Sequence, residues 1–331
     1  MDPIELTRAL VDIDSTTGRE AEAGRWLAAF LRDAAFSVAE QPVGDGRFNI
    51  LATIDRPAVV LSTHFDCVPP FFPSRLDGDR LYGRGSCDAK GILAAQTAAV
   101  DALRRAGERR VGLLFVVGEE RGSDGARIAN DHANGCRFLV DGEPTDSRLG
   151  LATRGILRVK LRASGRASHS SYPELGESAI EKLLDALVGL RAIDLPSDPT
   201  LGRTHYTVGL IEGGLAPNVV PPSAAAEVMF RTTGDAEEVR RALQPLERLV
   251  SIEHVLGVPP VRLTTVPGFE TAVFPYTTDI PFLKAWGQPL LFGPGSVHAA
   301  HTADEFVSVA ELRGAVGHYQ RIARHLLARD S

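Results

Sequence analysis

Histidine and acidic side chains follow four apolar segments of this 331-residue chain, at residues 58–62, 111–117, 137–140 and 289–292. The groups that follow are His64 with Asp66, Glu119 with Glu120, Asp141 with Glu143, and His298 with His301, Asp304 and Glu305. Imidazole nitrogens and carboxylate oxygens are ligands for Zn²⁺ and similar divalent cations. Because ligands of open α/β sheets bind beyond the carboxyl ends of the strands, the pattern predicts a metal site built from distant parts of the chain.

His64 and Asp66 are two residues apart, so their side chains point the same way on an extended segment. A histidine in such a pair can bind a metal through one ring nitrogen while the carboxylate orients the ring. The alternative interpretation is a hydrogen-bonded His–Asp pair at the end of a strand, without a metal.

The glycine-rich segment at residues 83–91 reads Gly-Arg-Gly-Ser-Cys-Asp-Ala-Lys-Gly. It lacks the Gly-Lys pair of a phosphate-binding P-loop and the glycine spacing of a dinucleotide-binding turn. One interpretation is a flexible turn before a helix predicted at 91–103. The other is a loop that carries Asp88 into the site, where its carboxylate could bridge two cations. Cys87 has no Cys or His partner at zinc-finger spacing.

Glu119 and Glu120 are adjacent acids directly after an apolar strand. Two carboxylates at a buried strand end repel each other unless cations neutralise them. One glutamate is then expected on a metal, and the other is free to act as a general acid or base. A loop with two exposed acids is the alternative interpretation.

Helical and strand patterns alternate over the first 150 residues and predict an α/β fold with a mostly parallel sheet. The pattern changes near residue 153 to β-α-β-β-α-β, with strands at 204–212 and 224–232 and a helix over 235–249. That order indicates an inserted ferredoxin-like α+β domain. We therefore expect one domain formed by residues 1–153 and 266–331, and an inserted domain at 154–265.

The composition excludes several classes of protein. The chain has 36 Lys+Arg and 42 Asp+Glu, a net charge of −6, and no basic run, which argues against nucleic-acid binding. Its apolar runs are far shorter than the ~20 residues of a membrane span, and the first residues do not resemble a signal peptide. The cysteines are few and odd in number, three in all, which favours a reducing compartment. We expect a cytoplasmic enzyme with no membrane or nucleic-acid partner.

Several segments together resemble successive motifs of one family. They are Thr63-His64-Phe65-Asp66-Cys67-Val68-Pro69, the glycine-rich loop with Asp88, Gly118-Glu119-Glu120-Arg121-Gly122-Ser123, Gly142-Glu143-Pro144-Thr145, and the stretch from Gly293-Pro294-Gly295-Ser296 to His301-Thr302-Ala303-Asp304-Glu305. The family is that of the co-catalytic zinc amidohydrolases and peptidases: acetylornithine deacetylase, succinyl-diaminopimelate desuccinylase, aminoacylase and the glutamate carboxypeptidases. The resemblance covers essentially the whole chain, with the motifs in order.

The resemblance implies a site with two Zn²⁺ ions, for which Co²⁺ or Mn²⁺ could substitute. The implied ligands are His64 and Glu143 for one ion, Glu120 and His301 for the other, and Asp88 between them. Asp66 would orient His64, and Glu119 would be the general base. In such enzymes the peptide after the bridging aspartate is often cis. Asp141 and His298 remain open as competing ligands.

The family's inserted domain is a lid and dimerisation domain, which implies a homodimer. The segment 165–173 resembles its first motif, in which the histidine, here His169, reaches the partner subunit's active site and binds the substrate carbonyl or oxyanion. The segment 213–221 resembles a second motif, with Asn218 as the polar contact. Arg231 is a candidate clamp for a substrate carboxylate, or a surface charge beside a strand. Gly295 is a further candidate substrate contact.

The function implied is hydrolysis of the amide bond of an N-acyl amino acid by a di-zinc-activated water. A dipeptidase or a glutamate-type carboxypeptidase is the alternative within the family. A non-catalytic relative that only binds its ligand is an alternative of another class. It would require the loss of a ligand or of the base, and the sequence retains all of them.

Overall fold

The computed structural model describes residues 1–133 and 135–329. The chain divides into two compact units. The first comprises Met1–Leu151, Leu263–Ala272 and Thr278–Ser331, and the second comprises Ala152–Arg262 and Val273–Thr277. That the inserted segment 154–265 serves as a lid or dimerisation domain stays a prediction.

The helices and strands have the following bounds. The helices are α1 Pro3–Val11, α2 Ala21–Asp33, α3 Lys90–Arg105, α4 Asp124–Asp131, α5 Ala179–Arg191, α6 Ala236–Leu243 and α7 Val309–Ala328. The strands are β1 Ser37–Gly44, β2 Arg47–Thr53, β3 Val59–His64, β4 Arg75–Asp77, β5 Arg80–Tyr82, β6 Val111–Val116, β7 Phe138–Asp141, β8 Leu149–Thr153, β9 Gly155–Ser164, β10 Ser197–Asp198, β11 Gly202–Arg203, β12 His205–Gly213, β13 Ser223–Thr232, β14 Ser251–Val258, β15 Val261–Arg262, β16 Thr271–Phe274, β17 Gln288–Leu291 and β18 Phe306–Ser308.

The main sheet of the first unit is mixed, with the order β1-β2-β6-β3-β7-β17. Strands β6, β3, β7 and β17 are parallel, whereas β1 pairs antiparallel with β2, and β2 with β6. The predicted α/β class is confirmed, and most strands of this sheet are parallel as expected, but an antiparallel hairpin, β1–β2, extends one edge. The reason is local: Gly44, Asp45 and Gly46 all have positive φ, which allows a tight turn between β1 and β2. Parallel neighbours need a longer crossover.

The parallel strands form the buried centre of the first unit. Every residue of β3, β6 and β7 is buried, which explains why each of these strands begins with a run of residues that lack polar side chains. Helix α3 is buried over most of its length, and α7 also contributes to this core. Because the strands are held rigidly on both faces, the residues at their carboxyl ends have fixed positions.

The second unit contains an antiparallel sheet of order β12-β13-β9-β14. Along β9, buried and less buried residues alternate, and the buried ones pack with α5 and α6 in a separate core. The order β9-α5-β12-β13-α6-β14 contains, in addition, the small hairpin β10–β11 after α5. Helix α6 ends at Leu243 instead of continuing to residue 249, because Pro245 lies in a following 3₁₀ segment, Gln244–Arg248.

Within residues 1–133 and 135–329, the structure contains no helix with the length and apolar character needed to cross a bilayer.

Lys90 is a buried cation at the start of α3, with 1% of its surface exposed. Its Nζ donates hydrogen bonds to the carbonyl oxygens of Leu10, at 3.0 Å, and Ile13, at 2.9 Å. These carbonyls lie at and just after the carboxyl end of α1, where helix carbonyls lack intrahelical partners and a cation is favourable. Lys90 thereby connects the carboxyl end of α1 to the first turn of α3.

We expect Lys90→Met to lower the free energy of unfolding by about 2 kcal/mol, because two carbonyl groups lose a charged donor. Urea denaturation of the two proteins measures the difference. Lys284→Met, at an exposed position, is the matched control and should change little. An unfolding free energy for Lys90→Met equal to that of the control would contradict this role.

Candidate metal centre

The carboxyl ends of three parallel strands carry most of the candidate ligands, all within the first unit. Strand β3 ends at His64, β6 is followed by the Glu119–Arg121 turn, and β7 is followed by Glu143. His301 lies in the loop between β17 and β18. The predicted ligands from distant parts of the chain therefore meet beyond one edge of the sheet.

The five predicted ligands form two groups that share Asp88. His64, Asp88 and Glu143 offer ligand atoms that all lie within 4.8 Å of one another, and so do Asp88, Glu120 and His301. The two oxygens of Asp88 face different histidines: Oδ1 is 3.0 Å from His64 Nε2, and Oδ2 is 3.3 Å from His301 Nε2. A carboxylate in this position can contact two cations at once.

The loop that carries Asp88 is closely packed. Gly85 has a φ of 87°, and a Cβ there would lie 2.5 Å from the sulfur of Cys67, so the position requires glycine. The Asp88-Ala89 peptide is cis, as the family resemblance implies. Helix α3 begins directly afterwards at Lys90.

Asp66 orients two parts of the site. His64 Nδ1 lies 3.0 Å from the Asp66 carbonyl oxygen and 3.4 Å from Asp66 Oδ1. Because the carbonyl can only accept, Nδ1 carries a proton, and Nε2 is the ring nitrogen that faces Asp88 Oδ1, at 3.0 Å. The Asp66 carboxylate also accepts hydrogen bonds from the backbone N–H groups of Glu119 and Glu120, at 3.1 and 3.2 Å, and from the Thr17 hydroxyl at 2.8 Å.

Glu119 lies beside the two groups without belonging to either one. Its side chain is half-buried, and its backbone is fixed by Asp66. Burial raises the pKa of the Glu119 carboxyl well above its ordinary value, and the negative charges of Asp279 and Glu120 act in the same direction. A carboxyl with a raised pKa is suited to exchange protons near neutral pH.

The electrostatics of the two groups attract positive charge. Burial raises the pKa of Glu143 well above its usual range and also raises that of Glu120, and the charge of Asp88 adds to both effects. Hydrogen bonds to Asp88 and Glu120 raise the pKa of His301 to about 10. Two divalent cations would neutralise the carboxylates and replace these protons. Two imidazoles and three carboxylates are a donor set that fits Zn²⁺, Co²⁺ or Mn²⁺.

The structure separates the competing ligands from these groups. Asp141 accepts a hydrogen bond from the Ser62 hydroxyl at 2.7 Å and belongs to neither group, and burial raises its pKa to about 6. His298 is exposed and is also outside both groups. Among the described residues, the geometry thus favours Glu143 over Asp141 and His301 over His298.

Two of the predicted substrate contacts, His169 and Asn218, lie in loops of the second unit. In the second unit, exposed His169 pairs with Val219, and the carbonyl oxygen of Asn218 accepts the Ser170 N–H at 3.0 Å, so the two motifs adjoin. His169 Nδ1 accepts the Ser171 N–H at 3.1 Å, which leaves the ring proton on Nε2.

Arg231 and Gly295 are less exposed than these loop residues. Arg231 is half-buried on β13, and burial lowers the pKa of its guanidinium. Gly295, in the first unit, is buried, and its carbonyl accepts the Asp146 N–H at 2.8 Å. The substrate-binding roles of His169, Asn218, Arg231 and Gly295 stay predictions.

Three residues that support the site had no role in the sequence analysis. Thr17 donates to Asp66, and Glu305 and Arg84 form a buried ion pair of 2.6 Å beside the Asp88 loop. Asp304-Glu305 appeared there only as part of an acidic motif. The separation of Thr17 and Asp66, 49 residues, contains no spacing signal that would have identified the pair.

Comparison with known proteins identifies the family to which the chain belongs. Residues 60–325 match peptidase family M20/M25/M40. A probable carboxypeptidase of Aspergillus terreus is 40% identical over 96% of this chain and 85% of its own length. A tripeptidase of Staphylococcus aureus has the same fold, with a TM-score of 0.82 at 20% identity over 98% of both chains. A dinuclear metal-binding peptidase of the M20 family from Bacillus subtilis has a TM-score of 0.74 at 17% identity over 98% of this chain and 97% of its own. This chain therefore belongs to peptidase family M20/M25/M40 and is a hydrolase of that family.

Proposed function

We propose that this protein is a di-metal hydrolase, with Zn²⁺ as its first-choice metal, that cleaves an amide bond next to a free carboxylate. The observation that carries the proposal is the pair of donor groups sharing Asp88, with Glu119 beside them and outside both. His64 and Glu143 would hold one ion, and Glu120 and His301 the other. Co²⁺ and Mn²⁺ suit the same donors.

The substrate is an N-acyl amino acid or a short peptide with a free carboxyl end, since both contain the same acyl–NH–CHR–COO⁻ unit. The family resemblance puts N-acyl amino acids first. The relative at 40% identity is called a probable carboxypeptidase, which favours the peptide. The half-buried guanidinium of Arg231 is the candidate partner for the substrate carboxylate, because guanidinium binds carboxylate in a bidentate manner.

In the proposed reaction, Glu119 carries the proton. The divalent cations that these residues would hold would supply Lewis-acid chemistry, polarising the amide carbonyl and lowering the pKa of a water. The Glu119 carboxylate accepts a proton from the water as the water oxygen bonds to the carbonyl carbon, and it delivers that proton to the amine nitrogen as the C–N bond breaks. The Asp66 carboxylate keeps the Glu119 backbone in place by accepting a hydrogen bond from the Glu119 N–H. As the family resemblance implies, the proposed donor to the developing oxyanion is the Nε2–H of His169 from a second copy of the chain.

We also propose that the protein forms a homodimer through its second unit. Strand β12 is an edge of its sheet, and it exposes Leu210 and Ile211 at 64% and 61%. On α5, Leu184 and Val188 are exposed at 47% and 63%. An exposed apolar edge strand is a favourable template for pairing with a second copy.

The location of the protein in the cytoplasm stays a prediction.

We expect Glu143→Ala to bind about one zinc ion fewer per chain than the wild type, because one donor group loses a ligand. The matched variant Asp141→Asn should keep both ions, since Asp141 lies outside the two groups. Zinc content after equilibrium dialysis, measured by mass spectrometry, distinguishes the two. If Asp141→Asn lost an ion and Glu143→Ala kept both, the metal ligand would be Asp141 and not Glu143.

The activity is tested on zinc-loaded protein with N-acetyl and N-succinyl amino acids, dipeptides and longer peptides, each with a free and an amidated carboxyl end. We expect release of the terminal amino acid only from substrates with the free carboxylate. Glu119→Gln should lower kcat at least about 100-fold while its zinc content stays at the wild-type value. No hydrolysis of any substrate by the loaded wild type would reject the function, and wild-type kcat in Glu119→Gln would reject the base.

Wild-type protein should elute at twice the chain mass in size-exclusion chromatography with light scattering. We expect Leu210→Arg to shift this species to the monomer, because a charge placed at the proposed contact would have to be buried. Leu76→Arg, at a 48% exposed leucine of the first unit, is the control and should remain dimeric. A monomeric wild type, or a dimeric Leu210→Arg, would argue against this interface.

A further inference from the structure

We propose that Glu305 is a positioning residue of the metal centre: its carboxylate fixes the backbone of the Asp88 loop and so holds the bridging carboxylate between the two donor groups. The proposal rests on the proposed function only in that Asp88 is taken to bridge two cations. Glu305 belongs to neither donor group, so its role differs from that of a ligand.

One carboxylate makes four contacts with a single loop. Glu305 Oε1 accepts hydrogen bonds from the backbone N–H groups of Gly85, Cys87 and Asp88, at 3.0, 3.1 and 3.0 Å. Its Oε2 accepts from Arg84 Nη1 at 2.6 Å. The Glu305 side chain is fully buried, so it contacts this loop instead of water.

The Asp88 loop leads into helix α3, so its backbone N–H groups need an acceptor. The first N–H groups of a helix and of the turn before it have no carbonyl partner, and several converging N–H groups form a site for an anion. The residue at the N-cap of α3, Ala89, has no polar side chain that could accept from them. Glu305 supplies the acceptor from a position 217 residues from Asp88.

Arg84 balances the buried charge and extends the contact to a second loop. Besides its ion pair with Glu305, its Nε donates to the carbonyl oxygen of Pro70 at 3.2 Å, and its backbone N–H donates to that of Phe72 at 3.1 Å. Only 2% of the Arg84 side chain is exposed, so these contacts hold the guanidinium in place. The Glu305 carboxylate is therefore held in one orientation against the loop.

This arrangement bears on metal binding through the direction of the Asp88 side chain. Oδ1 and Oδ2 of Asp88 face His64 and His301 at 3.0 and 3.3 Å, so a rotation of its backbone would disturb both donor groups together. The Asp88 N–H is one of the groups that Glu305 holds. Loss of the carboxylate should therefore weaken both ions, whereas loss of a ligand such as Glu143 affects one group.

The test measures Zn²⁺ affinity directly, by competition with a chromophoric chelator, on the full chain. Glu305→Gln keeps the size of the side chain and one acceptor oxygen but removes the charge. We expect Zn²⁺ to bind about 10–100-fold more weakly at both sites, as for other residues that orient metal ligands. The visible absorption spectrum of the Co²⁺-loaded variant should change as well, and kcat should fall with KM little altered.

A double variant distinguishes a direct effect on metal binding from a loss of folding. Arg84→Met with Glu305→Gln leaves no unpaired cation in the interior, and it should still show the weakened affinity while its metal-free circular dichroism matches the wild type. Asp304→Asn removes the neighbouring acid, which is exposed, and is the matched control with wild-type affinity. Wild-type Zn²⁺ affinity and Co²⁺ spectrum in the folded Glu305→Gln or double variant would overturn the proposal.

The outcome is separable from that of the proposed function. A wild type that binds two Zn²⁺ ions but cleaves no substrate would reject the hydrolase proposal, while the affinities of the variants still decide the role of Glu305. A wild type that binds fewer than two ions would overturn both.

Discussion

The repulsion between buried carboxylates at one sheet edge is the constraint on which the site depends. Asp88, Glu120 and Glu143 are brought within ligand distance of two histidines, in a place where water screens their charges poorly. Burial raises the pKa of Glu120 and Glu143, and the nearby acids raise the pKa of His301 to about 10. Each of these pKa shifts has the same origin, an excess of negative charge in a poorly hydrated place, which two divalent cations would neutralise.

The fold meets that constraint by fixing the backbone at each ligand. Strands β3, β6 and β7 are buried along their whole length, so the residues that follow them cannot move apart easily. The loops are held by side chains that are not ligands. Asp66 accepts the N–H groups of Glu119 and Glu120, and Glu305 accepts those of the Asp88 loop. Carboxylates thus have two roles in this site. Some are candidate metal ligands, and others accept hydrogen bonds from the backbone of the loops that carry those ligands.

His64, Glu120 and Glu143 were candidates from the sequence because each lies at or just after the end of an apolar strand, whereas Asp88 and His301 lie in loops and were selected by the family motifs. The same local signal left two pairs open, Asp141 with Glu143 and His298 with His301, since both members of each pair follow the same strand. Only the folded structure separates them: the Ser62 hydroxyl binds Asp141, and His301 lies within ligand distance of Asp88 and Glu120 whereas His298 belongs to neither donor group.

Other features could not be derived from spacing. The contact between Glu305 and Asp88 joins residues 217 positions apart, and no periodicity links them. The antiparallel hairpin of β1 and β2 depends on a short turn with three positive-φ residues, which the expectation of alternating helices and strands overlooked. The early end of α6 at Leu243 was predictable in principle from Pro245, but the apolar periodicity continued past it.

The central claim is that two cations bind on either side of the Asp88 carboxylate. The most direct measurement is a crystal structure of the zinc-loaded protein with anomalous diffraction recorded at the zinc absorption edge. We expect two peaks about 3.5–4 Å apart, one beside His64 and Glu143 and the other beside Glu120 and His301. A single peak, or peaks away from Asp88, would contradict it.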